Sequence, residues 1–96
     1  MNSKQRAYLR NLSNTIQPIY QIGKGSITPE LTKGLDEALE ARELIKIHVL
    51  KNCFDNPKEL ANTLAERTNS QVVHVIGKMI VLYRESRSNP KIILKQ

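Results

Sequence analysis

The sequence predicts an α/β two-layer sandwich, a four-stranded mixed sheet with elements in the order α-β-α-β-α-β-β. Three observations lead there. Apolar residues recur at helical spacing in three segments, each opened by a residue suited to cap a helix. Short runs that alternate or are rich in β-branched residues fall between and after them. The last two runs are separated only by Gly77-Lys78, a glycine-first pair suited to a type II′ hairpin turn. A chain of 96 residues suits a single core.

The first helix is expected to be capped by Ser3, with Tyr8, Leu9, Leu12 and Ile16 along one arc and Arg6 and Arg10 together on the opposite side. Pro18 stops it. Residues 19–22, Ile-Tyr-Gln-Ile, read as a short strand running into the turn Gly23-Lys24-Gly25-Ser26. Thr28 then caps a second helix with Pro29 at its first position, and Leu31, Leu35, Ala38 and Leu39 form its apolar stripe. Gly34 lies inside this helix at a cost of about 1 kcal/mol relative to alanine, which predicts close packing against the sheet.

Residues 44–51 alternate, with Ile45, Ile47 and Val49 on one face and Leu44, Lys46, His48 and Leu50 on the other. Asn56, Pro57 and Glu59 open a third helix carrying Leu60, Ala61, Leu64 and Ala65 and ending near Asn69. Residues 71–76 and 79–84 form the antiparallel hairpin. Right-handed crossovers then place the second and third helices on one sheet face. The other face, with Lys46, His48 and His74 amid Leu44, Leu50, Val72 and Ile76, is too apolar to be fully wet, so the first helix or the tail is expected to cover part of it. Residues 1–85 form the domain, and 86–96 a basic tail, frayed or pairing as an edge strand.

Fifteen Lys and Arg against nine Asp and Glu give a formal net charge of +6, an excess that commonly marks a polyanionic partner. Its distribution is uneven: no acidic residue precedes Glu30, whereas Glu30, Asp36, Glu37, Glu40 and Glu43 outnumber Lys33 and Arg42 in the second helix. That middle face is expected to turn away from a phosphate backbone. The lone Cys53 allows no internal disulfide, and no apolar stretch approaches the roughly 20 residues of a membrane span, so a soluble cytoplasmic protein is expected.

The turn Gly23-Lys24-Gly25-Ser26 joins a strand end to a helix N-terminus, where free backbone N–H groups and the helix dipole attract phosphate. The same residues also suit an ordinary βα turn. They are not a nucleotide-binding P-loop, because Pro18 stands where its first glycine is needed and Gly25 follows the lysine. They are not a dinucleotide fingerprint, because Thr28 occupies the third glycine position. His48, His74 and Cys53 match no compact metal-ligand spacing, and no nucleophile, histidine and acid fall in a recognisable catalytic pattern. No metal, cofactor or enzymatic activity is expected. With one Phe, three Tyr and no Trp, aromatic stacking is expected to contribute little, and Tyr20 and Tyr83 read as core.

Several segments together resemble one family. Residues 3–10, Ser-Lys-Gln-Arg-Ala-Tyr-Leu-Arg, then Gln21-Ile22-Gly23-Lys24 with Thr28, then residues 37–46, and finally Val75-Ile76-Gly77-Lys78 with Val81-Leu82-Tyr83-Arg84 are similar to bacterial YhbY-type CRM-domain proteins. The likeness spans residues 3–85. It implies a noncatalytic RNA-binding domain associated with rRNA of large-subunit precursors, and a fold similar to the C-terminal domain of translation initiation factor three. It also implies a KH-like GxxG loop against RNA backbone at Gly23, Lys24, Gly25 and Ser26. Arg6, Arg10, Lys46 and Arg84 would assist in a monomeric protein. The sequence departs from the pattern at Ser26, where glycine is expected, so the backbone there is the geometry to inspect. A module docking a ribosomal or assembly protein, with RNA contact incidental, is the competing reading.

Overall fold

A computed structural model describes residues 1–94 of the chain, so the last two residues of the predicted tail, Lys95 and Gln96, lie outside the described residues. The elements are α1 (Ser3–Ser13), β1 (Tyr20–Ile22), α2 (Pro29–Arg42), β2 (Leu44–Val49), α3 (Pro57–Thr68), β3 (Gln71–Ile76) and β4 (Met79–Tyr83). The sheet order is β1-β2-β4-β3, with β1 parallel to β2 and both other pairs antiparallel.

The helix starts follow side-chain chemistry. Thr28 Oγ1 accepts from Leu31 N–H at 3.1 Å, and Asn56 Oδ1 accepts from Lys58 and Glu59 N–H. For α1 the expectation of a Ser3 cap is corrected. Asn2 is the cap, because Gln5 stands three residues after it and closes a reciprocal capping box. Ser3 is followed at that spacing by Arg6, which cannot return the bond.

Leu35 and Leu39 of α2 and Leu60, Ala61 and Leu64 of α3 pack with Ile22, Ile45, Ile47, Val49, Ile80 and Leu82 in the main core. Gly34 brings α2 down onto β1. A Cβ there would meet the Tyr20 hydroxyl and lie 2.9 Å from the ring carbon that bears it. Overpacking of this kind costs about 1–3 kcal/mol, against about 1 kcal/mol of helix propensity gained. Gly34→Ala should therefore lower stability in urea by on the order of 1 kcal/mol, and should raise it once Tyr20 is also alanine. A gain in the presence of Tyr20 would refute the close contact.

The opposite sheet face is covered at one end. Leu9 packs on Leu44, Val73, Val81 and Tyr83, with Leu12, Ile16, Ile92 and Leu94 around them. Both α1 and the segment after β4 thus form a partial third layer. The expected placement of Val72 on this face is corrected, because a register shift between Val72 and His74 turns Val72 toward the helices and Val73 toward α1. A β-bulge inserts one residue and so inverts the alternation beyond it. Gly77 takes φ +55 and Lys78 does not follow it into positive φ, as the glycine-first turn requires.

Residues 86–94 form no strand, and they are not frayed. The buried Glu43 carboxylate accepts N–H bonds from Ser86, Lys91 and Ile92, each at 2.7 Å. Glu40 accepts from the Ser86 and Ser88 hydroxyls and from the N–H groups of Arg87 and Ser88. The acidic stripe expected to turn away from a phosphate backbone is in part the dock for this segment.

Candidate nucleic-acid interface

Strand direction gathers the site. β1 and β2 run parallel and end at the same edge of the sheet. β3 is antiparallel to β4, and β4 to β2, so the β3–β4 turn falls at that edge too. Three connections therefore meet there: the Gly23–Ser26 turn, the segment after β2, and Gly77-Lys78. Backbone bonds stitch them together, from Leu50 N–H to Ile22 O at 2.8 Å and from Val49 N–H to Lys78 O at 2.7 Å.

Each connection carries an exposed lysine: Lys24, Lys51 and Lys78, with Lys58 in the first turn of α3. The N-termini of α2 and α3 open at the same edge, adding the positive ends of two helix dipoles. Glu30 and Glu59 occupy the first turns of those helices and moderate the field. Compact folds of this kind present ligand sites at the carboxyl ends of strands, where loops rather than the sheet supply the contacts.

The turn itself is closed by Ser26 N–H donating to Gly23 O at 2.9 Å. Ser26 takes the left-handed conformation at φ +55, whereas neither Gly23 nor Gly25 has positive φ. The backbone geometry that favours glycine is thus kept by the serine. Its cost, of order 1–2 kcal/mol for an L-residue, is offset by the bond from Ser26 Oγ to Asp55 Oδ2. A Cβ on Gly23 would lie 3.4 Å from Asn52 Oδ1, and one on Gly25 would stand in nearly open space. The turn leans on the 52–55 segment and leaves its backbone at Gly25 uncovered.

The other residues expected at the site disperse. Lys46 is half-buried on the α1 face of β2, its Cα paired with Val81. Beyond it toward the lysine edge lie half-buried His48 and Met79 and the 61% exposed Ile76. Arg10 is exposed in the last turn of α1. Arg6 donates to Val72 O at 2.6 Å and Val73 O at 3.3 Å, satisfying carbonyls at the bulge.

Arg84 departs furthest from expectation. It follows β4 at the opposite end of the sheet, is 8% exposed, and donates to the Asp36 carboxylate, to Thr68 O at 2.7 Å and to Asp36 O at 3.0 Å. Its guanidinium joins α2 to the end of α3 and does not face the lysine edge. Lys51, Lys58, Lys78 and Phe54 also stand at that edge, and none of them is among the residues expected at the site. The predicted topology held the signal for the lysines, since parallel β1 and β2 with a following hairpin must bring those connections together.

A family model described as the CRS1 / YhbY (CRM) domain matches residues 1–84. The chain belongs to this family. Relatives match it across most of its length. It is 44% identical over 94 residues to Probable RNA-binding protein YqeI of Bacillus subtilis, covering 98% of each chain. It is 28% identical over 86 residues to a protein of Haemophilus influenzae named RNA-binding protein, covering 90% of this chain and 87% of that one. The solution structure of the hypothetical protein SAV1595 from Staphylococcus aureus superposes with a TM-score of 0.83 at 56% identity, covering 99% of both chains. The CRM domain thus accounts for the α/β fold built above.

Proposed function

We propose that this CRM-domain protein binds RNA without catalysing a reaction, holding the sugar-phosphate backbone at the lysine edge. The observation that carries the reading is the convergence of Lys24, Lys51, Lys58 and Lys78 around a turn with an open backbone. The naming of its relatives as RNA-binding proteins supports it. Phosphate contacts fix position and carry no sequence information, so the surface reads RNA backbone rather than base sequence. The family resemblance directs the proposal further, to rRNA in cytoplasmic precursors of the large ribosomal subunit, bound by a monomer.

Binding through phosphates releases counterions. Anisotropy titrations with a single-stranded RNA across a salt series should give a log-log slope of about −0.7 per phosphate contacted, or roughly −3 for four lysine contacts. Salt-independent binding, or none at low salt, would overturn the proposal. Crosslinking in cell extract then tests the rRNA assignment through the nucleotides recovered.

A further inference from the structure

We propose that Phe54 is a stacking platform for an unpaired base, which makes the lysine edge selective for single-stranded over duplex RNA. The inference rests on the RNA-binding reading above and adds to it the class of RNA taken.

Phe54 is 93% exposed, the most exposed of the large apolar side chains among the described residues. Exposed apolar residues scattered singly are normal on soluble proteins. What separates this one is how and where it is held. On one side, Cys53 is buried and its N–H donates to Leu50 O at 3.0 Å. On the other, Asp55 accepts the Ser26 hydroxyl and Asn56 caps α3. The ring is therefore presented from an anchored backbone, and the Ser26–Asp55 bond ties its neighbour directly to the phosphate-reading turn. Lys51 precedes it by three residues and Lys58 follows by four, both exposed.

Lysines reading phosphates do not distinguish a paired strand from an unpaired one. An aromatic face does. Bases in an A-form helix are covered by their stacked neighbours, and only a splayed base offers a free π-face. A cationic edge with a solvent-facing ring on an anchored backbone combines the two elements of single-strand recognition. Tyr20 and Tyr83 cannot take this part, because Tyr20 packs against the main core and Tyr83 is buried.

Phe54→Ala removes almost no buried surface, so its circular dichroism and melting temperature should match the parent. Its affinity for a single-stranded RNA should fall about tenfold or more, the usual range for loss of one base–aromatic stack, while its affinity for a blunt RNA duplex should not change. Phe54→Trp should keep the single-strand affinity. Because the chain has no other tryptophan, its indole fluorescence should be quenched by the single strand and not by the duplex. If the parent binds single strands and Phe54→Ala binds them equally well, the stacking role is overturned while the RNA-binding reading stands, and the ring is left for a protein partner. If the parent binds neither RNA, both fall together.

Discussion

Glu43→Ala should free Lys91 and Ile92 from the body of the protein, leaving residues 86–88 on Glu40, and lower its stability by about 3 kcal/mol, less than the sum of three charge-assisted hydrogen bonds worth about 1.5–3 kcal/mol each because the freed N–H groups meet water. The Glu43 side chain is buried and its two oxygens accept three backbone N–H groups from a segment with no strand or helix of its own. Half-buried Ile92 and Leu94, which pack against the Leu9 cluster, would lose their anchor with it. Glu43→Gln should cost nearly as much, because an amide offers one accepting oxygen where two are used. Urea unfolding measures the loss, and hydrogen exchange at Ser86, Lys91 and Ile92 localises it. Unchanged protection at those amides in Glu43→Ala would show that the Glu40 bonds and the packing of Ile92 and Leu94 hold the segment without Glu43.

Acid should act on the same contacts. Burial pushes the Glu43 carboxyl up, but N–H bonds from Ser86, Ile92 and Lys91 and the Lys91 charge outweigh it and hold the group below its ordinary value. At Glu40 the Ser86 hydroxyl, followed by Arg87 and Ser88 N–H, takes the carboxyl from 4.5 to about 2. Both shifts are depressions in the folded state, so their stabilisation is complete above the unfolded value and is lost as pH falls through the folded one. For Glu40 the segment should therefore loosen between pH 4.5 and about 2, with no change near neutrality. Glu40 keeps 31% of its side-chain surface open to solvent, and screening there discounts its contribution.

Glu40 and Glu43 also show where a sequence is legible and where it is not. The order of all seven elements, the Thr28 and Asn56 caps and the close approach at Gly34 follow from local chemistry, and the structure has each of them. What local chemistry leaves open depends on partners distant in sequence. Glu40 and Glu43 look like a solvated face of α2 until a segment more than forty residues later is seen to place its N–H groups on them. Arg84 is a lone cation just after an apolar strand, but the fold puts Asp36 and the carbonyl of Thr68 within its reach, and a guanidinium with those partners is a tie between helices. The Val73 bulge lies in a run of β-branched residues with no glycine to announce it. The Gly23–Ser26 turn was legible as a turn, yet its left-handed residue is the serine, stabilised by Asp55 from the next connection.

The largest effect on RNA affinity is expected from reversing charge at the lysine edge. Lys24→Glu and Lys78→Glu each remove one phosphate contact and place a repelling carboxylate in its stead. Each should weaken single-stranded RNA binding about tenfold at moderate salt and flatten the log-log salt slope by about 0.7. Their effects should multiply in the double variant to the extent that the two sites act independently. Both side chains are exposed and make no bond that the fold needs, so stability should be unaffected. Arg84→Ala makes the opposing case. It breaks a buried cation's ties to Asp36 and Thr68, and should cost about 1–3 kcal/mol of stability, below the 3–5 kcal/mol of a fully buried pair because Asp36 is half exposed. RNA affinity of the folded fraction should be untouched. Arg10→Glu, on the outer side of α1, discriminates further. If it abolishes binding while Lys24→Glu and Lys78→Glu do not, the phosphate-reading surface lies on α1, and the lysine edge is only the well-charged end of a soluble sheet.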